Sequence, residues 1–173
     1  VSKRIYLTGG LGSIAGTEAF GDDYALPNGS AYTETCASVG GILWDHRMFL
    51  KSGEAKYLDA FEQTLYNGLL SGVAVSGDRF FYRNPLEATQ MSGSNTRTPY
   101  FDVACCPANL SRLLAQLPGL VYAQQGNDVF VNLYVDSEAT VKIGAASVTV
   151  KQTTNYPWDG RVTLTVTGAP TGS

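Results

Sequence analysis

The spacing of apolar residues changes period once, near residue 120, and this limits what the chain can fold into. Before that point the spacing is helical. Val39, Ile42, Leu43, Met48 and Phe49 recur at helical intervals as far as Leu50, and Gly53 follows in the place of a C-cap. Tyr57, Phe61, Leu65 and Leu69 stand four apart and predict a second helix over 54–70, packed antiparallel on the first. A third helix opens at Pro107, where a missing N–H costs nothing. Leu110, Leu113, Leu114 and Leu117 would form its buried face, and Pro118-Gly119 would stop it. Beyond Gly119 the period is two. LVYAQQ and VFVNLYV flank a GND turn as a hairpin, and ATVKIG, SVTVKQT and RVTLTVT read as further strands. Helices first and antiparallel strands last define an α+β chain with two regions.

The totals exclude several functions. Hydrophobic residues make up 44% of the 173, enough for a packed core. The net charge of −3, with no basic cluster, argues against a nucleic-acid partner. No apolar run has the length of a membrane-spanning helix, so no membrane is expected as a partner. The opening VSKRIYLTGG has neither an initiator Met nor a signal peptide, and it reads as a piece cut from something longer. It assigns no compartment. The first 29 residues are rich in turn formers, and with Tyr6, Phe20, Tyr24 and Leu26 they predict an ordered, packed loop. RFFYRNPL reads as a short extended segment ending at Pro85.

Two of the three cysteines, Cys105 and Cys106, are adjacent just before the Pro107 helix. Adjacent cysteines rarely meet disulfide geometry. A helix start carries unpaired N–H groups and favours thiolate, both a nucleophile and a soft metal ligand. Upstream lies Tyr32-Thr33-Glu34-Thr35-Cys36. Residues two apart do not share a helix face, so Glu34 and Cys36 could meet one target only at a non-helical stretch or a frayed helix entrance. One carboxylate and three thiolates would suit tetrahedral zinc. The spacing matches no common zinc-finger pattern, and buried, inert cysteines are the alternative.

The runs YLTGGLGS, GTEAFGDDYALPN, AYTETCA, KYLDAFEQTLYNGLLSG, FFYRNPLE, CCPANLSRLLAQLPGLVY and NYPWDG resemble glycoside hydrolase family 127, the retaining β-L-arabinofuranosidases. They cover almost the whole chain, in order. The resemblance implies that residues 1–119 are the later part of an (α/α)6 catalytic barrel. Residues 120–173 would begin an antiparallel β-sandwich. It implies zinc held by Glu34, Cys36, Cys105 and Cys106, with Cys105 also the nucleophile. Glu18 resembles the general acid/base, and Tyr82 a tyrosine near the substrate, with ordinary packing as the alternative for Tyr82. The implied substrates are arabinofuranosides or related plant-polysaccharide glycosides. A loop poor in charge would favour the proton that Glu18 needs, and Asp22 and Asp23 would add repulsion if turned inward. The chain carries far fewer helices than such a barrel, so little hydrolysis is expected from it alone. Apolar surface left open would allow a homo-oligomer.

Other residues read as structural. His46, the one histidine, is expected to be structural, Trp44 to lie in the core, and Trp158 to pack the sandwich. Asp102 would orient a ligand or cap a turn. GGLGS lacks the strand-turn-helix context of a nucleotide site. A non-catalytic protein with a structural zinc, or a carbohydrate-binding module, is the competing reading.

Overall fold

The first helix forms where the apolar spacing places it. In the computed structural model, which describes residues 2–87 and 96–168, helix α1 runs Thr35–Ser52. Val39, Ile42 and Phe49 are buried on one side. Gly53 ends the helix at φ 69, and its N–H donates to the Phe49 carbonyl at 2.8 Å. A left-handed residue there costs least as glycine.

Helix α2 (Lys56–Gln63) packs on α1 but is shorter than the predicted 54–70. It widens into a π-helical stretch, Thr64–Leu69, and then tightens through a 3-10 turn, Leu70–Gly72. The Thr64 hydroxyl donates back to the Ala60 carbonyl at 2.7 Å, and such bonds compete with the regular ladder. The stripe survives the change of pitch: Phe61, Leu65 and Leu69 are all buried. Gly9 (φ +80) touches this stretch so closely that a Cβ there would sit 2.2 Å from Thr64 Oγ1.

The leading loop is ordered by two isolated bridges, Ile5–Leu11 and Ile14–Ala19. Tyr6 is buried and donates to the Pro27 carbonyl, whereas Phe20 and Tyr24 are exposed, so only part of the expected packing forms. Segment 80–84 is extended and laced to residues 33–35. Thr35 N–H donates to the Tyr82 carbonyl at 2.9 Å, and Asn84 N–H to that of Thr33 at 3.2 Å. Helix α3 spans Cys105–Gln116. Leu110 and Leu113 are buried, but Leu114 is 37% exposed and Leu117 has already entered a 3-10 turn, Leu117–Leu120, because Pro118 cannot continue the helix.

The chain divides into two compact units, Val1–Ala115 and Gln116–Ser173. The second contains a hairpin of β1 (Tyr122–Gln125) and β2 (Asp128–Val131), and a three-stranded antiparallel sheet of β3 (Ser137–Ile143), β4 (Ala146–Thr154) and β5 (Val162–Thr167). Alternation along β4 buries Val148, Val150 and Gln152 on one face. The Gln152 amide donates to the Leu133 carbonyl and Ser137 Oγ, which satisfies the polar end of a buried side chain. Trp158 is 86% exposed, against the expectation that it packs in this region. It sits in the turn after β4, where Trp158 N–H bonds to the Asn155 carbonyl, clear of the buried face.

Candidate active site and metal centre

Each element that delivers a site residue does so at its end. Glu34 is the extended residue (φ −62, ψ 138) that precedes α1, and Cys36 lies in the first turn of that helix. This frayed entrance lets two residues that a regular helix would separate reach one point. Cys105 and Cys106 are the first two residues of α3, with Pro107 third. They stand within the helix rather than before it, and Pro107 occupies a position whose N–H would be unpaired anyway. The Glu34–Arg83 bridge carries Tyr82 beside them.

One potential ligand atom from each of Glu34, Cys36, Cys105 and Cys106 falls within a set whose members all lie within 4.8 Å of one another. Cys36 Sγ is 3.3 Å from Cys106 Sγ, and the two adjacent sulfurs are 3.8 Å apart. Glu34 Oε1 is 3.4 Å from Cys106 Sγ and 3.6 Å from Cys105 Sγ. All three thiols are free. The group can hold a metal ion. Asn109, one turn along α3, donates its amide to Cys36 Sγ at 3.1 Å. Tyr82 Oη and Cys105 Sγ form a 3.2 Å hydrogen bond. The Tyr82 ring also packs edge-on against Phe101 and tilts against Tyr32.

Electrostatics correct one expectation. A helix start was expected to favour thiolate at both adjacent cysteines. Burial instead pushes the Cys36 thiol up to about 12 and raises that of Cys106, which is fully buried. The dipole of one helix end does not offset desolvation beside a carboxylate. The bond to Cys105, with burial second, also raises the Tyr82 phenol, which stays a neutral donor.

Glu18 is exposed, on a residue of positive φ (51) in the leading loop. The burial expected to favour its proton is absent. Asp22 is exposed, and Asp23 turns to Lys3 and Arg4, each at 3.0 Å, so neither supplies the expected repulsion. Glu18 Oε1 accepts a 2.9 Å hydrogen bond from the Tyr32 hydroxyl. Glu18, Tyr32 and Glu34 line a cavity of about 900 Å³, together with Trp44, Asp45 and Tyr57. Trp44 is therefore a lining residue, 58% exposed, and not a core residue. Burial holds the Asp45 carboxyl up at about 6. His46 packs edge-on against Phe61, as a structural histidine does. Asp102 is exposed.

Tyr32, Asn109 and Arg83 were missed in the sequence. Asn109 had a signal, since it stands three residues beyond Cys106 and so on the same helical face. Tyr32 had none, because its partner is 14 residues away across a loop. Thr33 at φ 37 is strained, as a β-branched residue must be there, and it is clamped through its N–H to the Gly12 carbonyl and through its own carbonyl to Asn84.

Comparison with known proteins adds the family. Residues 1–119 match the model of the β-L-arabinofuranosidase GH127 catalytic domain, and residues 128–173 that of the GH127 middle domain. The chain is 36% identical, over 96% of its length, to a non-reducing end β-L-arabinofuranosidase of Bifidobacterium longum subsp. longum, and covers 26% of that protein. A solved GH127 β-arabinofuranosidase superposes with a TM-score of 0.90 at 48% identity, over 95% of this chain and 25% of that one. A GH127 β-L-arabinofuranosidase from Geobacillus stearothermophilus T6 superposes at 0.91 and 44% identity, over 97% and 28%. The chain thus spans about a quarter of the length of these relatives. No described helix is long and apolar enough to cross a membrane. With a catalytic-domain match over most of its residues, the chain belongs to glycoside hydrolase family 127.

Proposed function

We propose that this chain is the catalytic-centre segment of a retaining glycosidase that releases L-arabinofuranose from β-L-arabinofuranosides, with Cys105 as nucleophile and Glu18 as general acid/base. The observation that carries the reading is the cluster of Glu34, Cys36, Cys105 and Cys106 with Tyr82 on Cys105, inside a family-127 catalytic-domain match. In this reading residues 1–119 are the later part of an (α/α)6 barrel, and residues 120–173 begin a β-sandwich. Hydrolysis needs the full-length protein, and the exposed Leu7, Leu50 and Val75 are candidates for burial in a larger assembly.

The donor set fits zinc. Tetrahedral zinc, with bonds of about 2.3 Å to sulfur and about 2.1 Å to oxygen, gives edges of about 3.8 Å between sulfurs and about 3.6 Å between sulfur and oxygen. The four measured separations, 3.3 to 3.8 Å, match. When bound, zinc would keep its coordinating sulfurs deprotonated despite their burial. Glu18 would donate its proton to the departing aglycone oxygen as the Cys105 sulfur bonds to the anomeric carbon. A water would then attack that carbon and break the C–S bond, returning its proton to Glu18. Tyr82 donates to the Cys105 thiolate and so keeps the sulfur aimed.

Elemental analysis of the full-length protein should find zinc, and Cys105→Ala should abolish arabinose release. Wild-type turnover in that variant would remove Cys105 as nucleophile. One observation favours a second reading, a structural zinc site without catalysis: four protein donors fill a tetrahedron and leave no open position. Glu18→Gln decides, since it cripples a glycosidase and leaves a structural zinc protein unchanged.

A further inference from the structure

Tyr32 joins the two proposed reactive groups, although it belongs to neither. Its hydroxyl donates to Glu18 Oε1 at 2.9 Å, and its ring tilts against Tyr82, 6.5 Å between centroids. Tyr82 in turn is bonded to Cys105. Glu18 is exposed and sits on a loop, where a carboxylate side chain would sweep many rotamers. Tyr32 is only 8% exposed, and the next residue, strained Thr33, is tied on both sides to backbone groups at Gly12 and Asn84. A rigid donor thus holds one oxygen of a mobile acid. Among the described residues Oε2 has no hydrogen-bond partner, so the second oxygen stays open to the cavity both residues line.

We infer that Tyr32 is a positioning residue that fixes the Glu18 carboxyl for proton transfer to the leaving group. This rests on the reading of Glu18 as the general acid/base. It accounts for how a solvent-exposed loop acid can be held in one place, which burial does not do here. General acid assistance contributes most where the aglycone is a poor leaving group, and least where an activated aryl alcohol departs unaided. The role therefore shows as a split between substrates.

The test uses a full-length protein carrying this chain, assayed on an alkyl and on a dinitrophenyl β-L-arabinofuranoside. Tyr32→Phe should lower kcat on the alkyl glycoside by about tenfold or more, with KM and zinc content unchanged, and the dinitrophenyl glycoside should lose less than about threefold in its first, arabinose-transferring step. In a Glu18→Gln background, Tyr32→Phe should add nothing further, because the group it positions no longer carries a proton to give. Equal losses on both substrates, or lost zinc, would mark Tyr32 as merely structural and overturn the inference. So would wild-type rates from Tyr32→Phe beside a crippled Glu18→Gln. Wild-type rates from Glu18→Gln would instead sink the reading of Glu18, and this inference with it. If Tyr32→Phe does not fold, Tyr32→Met fills the same space with an adaptable apolar chain, and the same split is read from it.

Discussion

Metal uptake by this site should be steeply dependent on pH, and the slope follows from the packing of two thiols. Burial raises Cys36 to about 12, and Cys106 is raised as well, so near about pH 7 both are neutral in the metal-free protein. A coordinating thiol must be deprotonated, so each of these two gives up a proton when zinc binds. Two released protons make the apparent affinity rise about 100-fold per pH unit, or about 2.7 kcal/mol. Lowering the pH from about 8 to about 7 should therefore weaken zinc binding about 100-fold. The assay is calorimetric titration of the full-length metal-free protein in buffers of different ionisation enthalpy, which counts protons directly, beside competition with a chelator at several pH values. Release of fewer than one proton, with affinity flat across that range, would refute the reasoning. It would mean that preformed thiolates exist and that α3's first turn outweighs burial.

Other outcomes can be checked on the same protein. The metal-free form should lose stability as pH rises from the ordinary thiol value of 9.0 towards about 12, because the unfolded chain ionises Cys36 first; denaturation midpoints against pH should show the fall, and the zinc-loaded form should not. Asn109→Ala removes the amide on Cys36 and should weaken zinc binding by about 10- to 100-fold, measured by chelator competition. Gly9→Ala should destabilise by about 2–5 kcal/mol in urea denaturation, since a Cβ there would meet Thr64 backbone at 2.6 Å on a residue of positive φ. Phe61→Ala, at a site with no solvent exposure, should cost about 3–5 kcal/mol in the same experiment.

Helical and strand periodicities made α1, α3 and the β-strands legible, because capping at Gly53 and alternation along 146–152 are local rules. The break in α2 was not legible. Thr64 is compatible with a helix by propensity, and only its bond to Ala60 and the close approach of Gly9 show why the pitch widens. Periodicity likewise says which face is apolar but not what covers it, so Trp44 and Trp158 were assigned to cores they do not enter. The metal-binding residues were readable as a set because their chemistry is rare. Their neighbours Tyr32 and Asn109 carry common side chains, and long-range bonds alone pick them out.

The widened stretch Thr64–Leu69 constrains how the chain can tolerate change in length. It contains one residue more than a regular helix would use over the same rise. Deleting one residue there would restore a regular ladder locally, yet it would turn everything that follows by about 100° about the axis. Gly68 would then no longer face Ser38 and Thr8, and the path of 72–82 would be redrawn. The far end of that path is Tyr82 on Cys105. A single-codon deletion well away from the sulfurs should therefore silence the site while each ligand residue stays intact.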